Sequence, residues 1–336
     1  MLHAAITSIY PPTRTIYKLA EIGADIVVIG DRKSKTPYIA PRTRFFTLTD
    51  QQSLGFRIAQ HLPVDHYSRK MLAYLLLARE GAASIYDTDD DNVPYETFCF
   101  PPFEGRFDEI TQCEQFFNIY RAFADEAIWP RGLPLDTISS NTPYTIGRSP
   151  KPSRVGIWQG LADGDPDVDA IYRLTSLGEP IKFRTREPLI LPTGTFTPFN
   201  SQSTLIQNKF FPLLYLPTTV TFRYTDILRG IIGQAILWAT GHHLGFVSAQ
   251  VFQDRNPHDY MSDFRSEIPM YLSVREAAQI ALANSGKDKS IPNMLHDIYR
   301  DLTKAGITTD KEMRLLDAWL ADIEEASGSL PYGEES

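Results

Sequence analysis

The stretch HAAITSIYPPTRTIYKLAEIGADIVVIGD, residues 3–31, decides the fold. It contains two runs rich in β-branched residues, 3–10 and 24–31, and each run ends in residues typical of turns. Between them, the apolar spacing of residues 14–23 favours a short helix. A strand, a helix and a second strand in this order predict a βαβ unit and therefore a parallel sheet.

The next hundred residues continue the same pattern. Residues 43–49 are predicted to form a strand and residues 51–62 a helix. Residues 68–82 are predicted to form a buried helix that begins at an N-cap Ser68 and stops at a glycine. Residues 83–87 then form the next strand, so the chain alternates strands and helices as an α/β protein does.

The second half of the chain gives weaker signals. Residues 130–153 are rich in Pro, Ser and Thr and predict a long irregular connection. Ordered structure resumes after it, and a helix is expected to start at Thr225 or Asp226. Beyond residue 272, three amphipathic segments, 273–285, 293–305 and 309–326, predict a small helical tail.

Composition excludes several classes of protein. The 336 residues carry a net charge of −8, and the basic residues are scattered, which argues against binding to duplex nucleic acid. Cys99 and Cys113 are the only cysteines, too few for a disulfide framework. No secretory leader or membrane-length apolar run is visible in the sequence, so we expect a cytoplasmic protein.

The motif DTDDDN, residues 87–92, raises the question of chemistry. A calcium-binding EF-hand loop that begins at Asp87 would need Gly at its sixth position and Glu at its twelfth, where Asn92 and Phe98 stand. The acidic run at residues 163–169 fails the same test. Two alternatives remain for the motif, a solvated turn and a site at which a divalent metal ion meets a diphosphate.

The neighbourhood of the motif favours the metal–diphosphate alternative. Ligands of α/β sheets bind at the carboxyl ends of the strands, and the motif lies directly after a predicted strand. Asp31 ends the second strand, where an acidic residue commonly meets a ribose or a base. Arg69 and Lys70 stand at the start of the buried helix, where basic side chains and free N–H groups can meet phosphate. Together these positions predict a nucleotide crevice.

Two other features have simpler interpretations. For the acidic run at residues 163–169 we favour helix capping, with Asp167 or Asp169 beginning a helix. His242 and His243 are adjacent on a predicted helix end, so their side chains point in different directions and they are interpreted as structural.

A series of motifs occurs in this order along the chain: ITSIYPPT, VVIGDRKSKTP, LGFRIAQHLPVDHYSRKMLAYLLLAREGAASIYDTDDDN, GLADGDPDVDAIYRL, PFNSQST, LPTTVTFRYTDILRG and RNPHDY. Together they resemble the STELLO-type glycosyltransferase family, whose catalytic domain is GT-A-like. The similarity extends from about residue 4 to residue 275. A more distant similarity links the aspartate-rich motif to plant reversibly glycosylated polypeptides, which include UDP-arabinopyranose mutases.

The resemblance implies a fold and a division of the chain. The expected fold is α/β, with a GT-A-like, Rossmann-type mixed sheet that binds the nucleotide and is flanked by helices. Residues 1–272 would form the glycosyltransferase domain, with a nucleotide-binding half at about 1–125 and an acceptor half at about 153–272. Residues 273–330 would form a helical C-terminal extension.

The resemblance also implies metal ligands. Asp89 and Asp91 match the DxD pair of the family, and Asp91 is our choice for direct contact with the ion. His258 of RNPHDY matches the late metal-binding histidine. The expected cofactor is a divalent metal ion, Mn²⁺ or Mg²⁺.

Further roles follow from the same matches. Asp226 of TDILRG matches the late acidic position and would be the general base of an inverting transfer, although it is also placed to cap a helix. Arg229, one turn further on, would hold that carboxylate or contact phosphate. The residues expected to bind the nucleotide sugar are Pro11, Asp31, Lys33, Arg69, Lys70, Asp89, Asn200 and Gln202.

The implied function is a metal-dependent glycosyltransferase of polysaccharide biosynthesis. It would move a sugar from a nucleoside diphosphate sugar, with a UDP-sugar as the expected donor, to a glycan or another hydroxyl acceptor. Two alternatives stand beside it: a mutase acting on a UDP-sugar, and a noncatalytic scaffold that binds nucleotide sugars. The Golgi location of the membrane-anchored eukaryotic members does not transfer to this chain.

Overall fold

A computed structural model describes residues 1–111, 114–176, 180–253 and 259–328. The strands are β1 (His3–Thr7), β2 (Asp25–Ile29), β3 (Thr43–Phe46), β4 (Ser84–Thr88), β5 (Asn92–Pro94), β6 (Glu104–Gly105), β7 (Asp108–Thr111), β8 (Thr145–Arg148), β9 (Ser153–Gly164), β10 (Leu189–Ile190), β11 (Ser203–Gln207) and β12 (His243–Gln253). The α-helices are α1 (Arg14–Glu21), α2 (Leu48–Gln52), α3 (Met71–Arg79), α4 (Ala170–Thr175), α5 (Thr225–Ala239), α6 (Tyr260–Asn284), α7 (Ile291–Lys304) and α8 (Asp310–Ala326).

The strands form a mixed sheet whose order is β3-β2-β1-β4-β11-β9-β12-β10-β7-β8. The first four strands are parallel to one another, and β11 then joins β4 in the antiparallel sense. The chain runs outward from β1 to β3 on one side and returns to β4 on the other. The strand order therefore reverses at β1, which is the kind of point where α/β sheets bind ligands.

Both faces of the parallel part are covered, as the continuous apolar runs of its strands require. Ala5 and Val27 face the core that contains α3, and Ile6 and Val28 face a smaller core with Leu19 of α1. Helix α3 lies between the sheet and α8, which explains why its residues 71–78 are all buried. The predicted α/β fold, a mixed sheet flanked by helices with a helical C-terminal segment, is confirmed.

Two predicted helix boundaries are wrong. Residues 51–62 do not form one helix, because α2 ends at Gln52 and Gly55 takes a left-handed φ of 81° before a short 3₁₀ turn. The helix predicted to begin with Ser68 as its cap starts instead with a 3₁₀ turn, Tyr67–Lys70. The side chain of His66 caps this turn by accepting a hydrogen bond from the Ser68 N–H group.

The three predicted C-terminal helices are present, but the first begins earlier than predicted. Helix α6 starts at Tyr260, so the predicted domain boundary at 272/273 falls inside this helix. The C-terminal helices also pack closely on the rest of the chain, since Trp319 is fully buried and its Nε1 donates a hydrogen bond to the Pro212 carbonyl at 3.0 Å. Within the described ranges, no helix has the length and apolar character needed to cross a membrane.

Candidate active site

Two adjoining pockets open at the carboxyl ends of the parallel strands. The first, which we call the acidic cleft, has a volume of about 250 Å³, and the second, the strand-end pocket, has a volume of about 240 Å³. Thr7, Tyr67, Asp90 and Phe222 line both pockets. The other residues of the acidic cleft are Asp89, Asp91, Arg131, Asp167, Asn200, Ser201, Gln202, Arg223, Asp226 and Gln253.

Lys70 holds the aspartate loop that follows β4. Its ammonium group is fully buried and donates to Asp87 Oδ1 at 3.0 Å, to the Thr88 carbonyl at 2.8 Å and to Asp89 Oδ1 at 2.8 Å. Burial alone would lower the pKa of Lys70, but the Asp87 and Asp89 carboxylates outweigh it and raise the pKa above its usual range. All three N–H donors of an ammonium group are therefore used inside the protein, beneath the loop.

Asp90 fastens the same loop to the segment that connects β1 to α1. One carboxylate oxygen of Asp90 accepts a hydrogen bond from the Ser8 hydroxyl, and its carbonyl accepts one from Thr13. Burial raises the pKa of Asp90 to about 6, although the Ser8 hydrogen bond opposes the shift. Asp89 and Asp91, on either side, face the acidic cleft.

The carboxylates of the aspartate loop supply part of the oxygen ligands that a hard divalent cation needs. Asp89 and Asp91 line one cleft, and Asp91 also accepts hydrogen bonds from the Asn92 side chain at 3.2 Å and from Gln253 at 3.3 Å. No group of three His, Cys, Asp or Glu side chains suited to a metal ion occurs in the described part of the chain, and the predicted third ligand, His258, lies outside it. Mg²⁺ is commonly held by one or two carboxylates together with substrate phosphates. Two carboxylates are therefore enough protein ligands for such an ion.

Arg131 organises the opposite wall of the cleft. Its guanidinium group, in a side chain only 5% exposed, donates to Asp167 Oδ1 and Oδ2 at 2.8 and 2.7 Å and to Asp226 Oδ1 and Oδ2 at 3.1 and 3.0 Å. It also donates to the carbonyl of Arg223. A guanidinium group has five N–H donors, and all five are used here: four clamp the two carboxylates and one binds the Arg223 carbonyl.

The clamp has a clear electrostatic effect on Asp167. Burial alone would raise the pKa of Asp167, but the Arg131 and Arg223 guanidinium groups outweigh it and hold the pKa well below its usual range. Asp167 also accepts a hydrogen bond from the Asn200 side chain at 2.8 Å. The wall therefore carries a charged, fully oriented carboxylate.

Asp226 lies in the first turn of α5 and lines the cleft. Besides Arg131, its oxygens accept hydrogen bonds from the Ile227 N–H at 3.1 Å and the Ser201 N–H at 3.4 Å. Arg229 was expected to hold Asp226 or to contact phosphate. It instead donates to Asp87 at 2.8 Å and to the Asn200 carbonyl at 3.3 Å. Arg229 is buried and thus joins the aspartate strand to α5 from beneath the cleft.

Asn200 and Gln202, which are predicted to bind the nucleotide sugar, both line the cleft. The Gln202 side chain donates to Gln253, which in turn reaches Asp91. Ser201 lies between Asn200 and Gln202 in the chain, and its hydroxyl is buried without a hydrogen-bond partner among the residues that the structure describes. A buried hydroxyl without a partner on the wall of a cleft is suited to a ligand that carries polar groups.

The strand-end pocket contains three of the other residues predicted to bind the nucleotide sugar. Asp31, Lys33 and Arg69 line it. Asp31 accepts hydrogen bonds from two backbone N–H groups, and the Arg69 guanidinium group is anchored on Gln51 Oε1 at 2.7 Å. Pro11 is exposed and lines neither pocket.

Several cleft residues escaped the sequence reasoning. Arg131 lies in the stretch predicted to be irregular, and the run at residues 163–169 was interpreted as a helix cap. That interpretation is right for Asp169, whose side chain accepts a hydrogen bond from the Tyr172 N–H at 2.8 Å, but Asp167 faces the cleft. Phe222 and Arg223 belong to the quoted motif LPTTVTFRYTDILRG, which was the one available signal for them.

An α/β fold with a mixed sheet and a polar cleft at the carboxyl ends of its parallel strands is consistent with the class of α/β glycosyltransferases. The family described as STELLO glycosyltransferases matches residues 223–332 of the chain. The chain is 28% identical over 331 residues to the probable glycosyltransferase STELLO1 of Arabidopsis thaliana and 28% identical over 332 residues to the probable glycosyltransferase STELLO2 of the same plant.

Each of these alignments covers 93% of this chain but 43% of the relative, so the chain spans less than half the length of both. The predicted resemblance to the STELLO-type glycosyltransferase family is confirmed. The matched segment begins at Arg223 on the wall of the acidic cleft and includes Asp226 and the C-terminal helices.

Proposed function

We propose that the chain is a divalent-metal-dependent, GT-A-type glycosyltransferase that transfers a hexosyl or pentosyl group. Its donor would be a nucleoside diphosphate sugar, with a UDP-sugar as the first candidate, and its acceptor a hydroxyl group of a glycan or another molecule. The observation that carries this proposal is the position of Asp89 and Asp91, which leave β4 beside the point of strand reversal and face Asp226 across one cleft.

The charges of the acidic cleft support a role for a metal ion. Among the described residues, five aspartates and two arginines line it. Arg131 has no N–H donor left for a ligand, so the cleft presents a net negative surface to any diphosphate. A diphosphate would therefore need a cation as an intermediary, and Asp91, with Asp89 and His258, would hold it.

When bound, the metal ion would neutralise the charge that develops on the leaving diphosphate. Lys70, first expected to contact phosphate, is better suited to positioning, because its three donors hold Asp87, Thr88 and Asp89 in place. Of the two basic residues at the helix start, only Arg69 lines the strand-end pocket. Asp31 in that pocket would meet the ribose or the base.

Asp226 is proposed to face the reacting carbon of the sugar. Each of its carboxylate oxygens accepts hydrogen bonds from two N–H groups, so the carboxylate is oriented before any substrate binds. Acting as a base toward an acceptor hydroxyl would require one of these hydrogen bonds to lengthen as the proton is taken up. Asn200, Gln202 and the unpartnered Ser201 hydroxyl would contact the hydroxyl groups of the donor sugar.

The proposal can be tested without knowing the acceptor. The protein is incubated with UDP-glucose, UDP-galactose or UDP-arabinopyranose, with and without manganese, and the products are separated by ion-pair chromatography. A transferase should release UDP slowly by transfer to water, and a chelator should stop the release. Interconversion of ring forms without release would point to the mutase instead, and binding without any conversion in an acceptor screen would point to the scaffold.

A further inference from the structure

One segment, which we call the wall loop, connects the C-terminal helices to the cleft. It comprises residues 217–224 and immediately precedes α5. Phe222 of this loop is 52% exposed, lines both pockets and packs against Tyr67 and His66, with ring centroids 4.6 and 5.3 Å apart. Arg223 lines the acidic cleft beside it. The position of this loop therefore sets part of the shape of both pockets.

Helix α8 holds the first half of the wall loop through Glu312. The carboxylate is fully buried and accepts hydrogen bonds from the Thr218 N–H at 3.0 Å and the Thr219 N–H at 2.8 Å. The Tyr215 hydroxyl donates to the same carboxylate. In the described ranges no cation pairs with Glu312, so its charge is balanced only by these donors.

Helix α6 holds the second half of the wall loop through Glu267. This carboxylate is also fully buried, and Oε1 accepts hydrogen bonds from Arg223 Nε at 3.0 Å and Nη2 at 2.8 Å. Its other oxygen accepts from the Tyr271 hydroxyl at 2.7 Å and the Ala170 N–H at 2.8 Å. Through Ala170 the same carboxylate also fixes the first turn of α4, three residues beyond Asp167.

Two buried carboxylates, one from each of two C-terminal helices, thus accept hydrogen bonds from the same eight-residue wall loop. A buried carboxylate is costly unless every lone pair finds a donor, and here the donors come mainly from the segment that walls the cleft. We infer that Glu312 and Glu267 are positioning residues through which the C-terminal helices fix the wall loop, and with it Phe222 and Arg223, for binding of the nucleotide sugar. This inference rests on the proposed function for the identity of the ligand.

The test replaces Glu312 by glutamine, which keeps the volume but turns an N–H group toward the donors of Thr218 and Thr219. Glu324→Gln is the matched control, because Glu324 is exposed on the same helix. Hydrogen exchange is measured by mass spectrometry on peptides that cover residues 215–224. Loss of charge-assisted hydrogen bonds should speed amide exchange in these peptides by about tenfold or more in Glu312→Gln and leave the control unchanged.

Binding of UDP-glucose with manganese is then measured by calorimetry on the same proteins. We expect Glu312→Gln to weaken the affinity by about tenfold while the number of sites per chain stays that of the wild type. Fewer sites at unchanged affinity would mean that the glutamate only maintains the fold, and would overturn the inference. Unchanged exchange in residues 215–224 would overturn it as well. If the wild-type protein binds no nucleotide sugar, the proposed function fails, while the exchange result still decides whether Glu312 fixes the loop.

Discussion

The strongest test of the cleft geometry is the removal of its central cation by Arg131→Met. Methionine fills most of the space but leaves the carboxylates of Asp167 and Asp226, both only 9% exposed, without the guanidinium group between them. Removing one partner of a buried ion pair usually destabilises a protein by about 3–5 kcal/mol. Because five hydrogen bonds are lost and two like charges are left together, we expect the free energy of unfolding to fall within or above that range.

The pH dependence of this loss carries a definite sign. In the wild type, the pKa of Asp167 is held below its usual range, so its contribution to stability is present above about pH 4 and is lost as the pH falls further. In the variant, only Arg223, 3.9 Å from Asp167, still opposes the effect of burial. We therefore expect the pKa of Asp167 to rise above its ordinary value and the variant to recover stability as the pH falls toward about 4. The difference in unfolding free energy should therefore be largest near neutral pH and narrow on acidification.

Urea denaturation followed by circular dichroism, at about pH 7 and about pH 4.5, measures both the loss in unfolding free energy and its dependence on pH. Arg184→Met is the control, because it removes the exposed Arg184–Asp125 pair and should change stability by about 0–1 kcal/mol. A loss below about 1 kcal/mol in Arg131→Met, or a loss that is equal at the two pH values, would refute the account of the clamp.

Two further substitutions separate support from binding. Lys70→Met should lower the free energy of unfolding in urea by about 1–3 kcal/mol, because Asp87 keeps its bond to Arg229 and only part of the buried charge is left unpaired. An unchanged free energy of unfolding combined with lost nucleotide affinity would instead support the prediction that Lys70 binds phosphate. Phe222→Ala should leave the melting temperature almost unchanged, because the ring is half exposed. It should weaken UDP-glucose binding, measured by calorimetry, by about 0.5–1.5 kcal/mol. Equal affinity in the wild type and the variant would show that Phe222 does not contact the nucleotide sugar.

Local sequence patterns predicted the parallel half of the fold because its determinants are local. The continuous apolar runs of β1 and β2 and the apolar helix α3 are visible in short stretches of sequence, and the placement of Asp89 and Asp91 at a strand end follows from the strand prediction. The N-terminal cap of this helical segment was predicted two residues too late, because the cap is the His66 ring rather than the Ser68 hydroxyl.

The wall of the cleft opposite the aspartates could not be predicted in the same way. Arg131 lies 36 positions from Asp167 and 95 positions from Asp226, and the stretch around it shows no periodicity. Its role depends on three segments that meet only in the folded chain. For the same reason Arg229, one helical turn after Asp226, was expected to hold its neighbour but reaches across to Asp87, because the buried aspartate of β4 lies against that face of α5.

The central claim is that Asp91 helps to hold a divalent ion that binds a nucleotide diphosphate in the acidic cleft. Isothermal titration of UDP-glucose into wild-type protein and Asp91→Ala, each with manganese and with a chelator, tests it directly, and thermal melts confirm that the variant is folded. We expect binding by the wild type that requires manganese and no measurable binding by Asp91→Ala. Equal affinity of the two proteins, or wild-type binding that persists in the chelator, would contradict the claim.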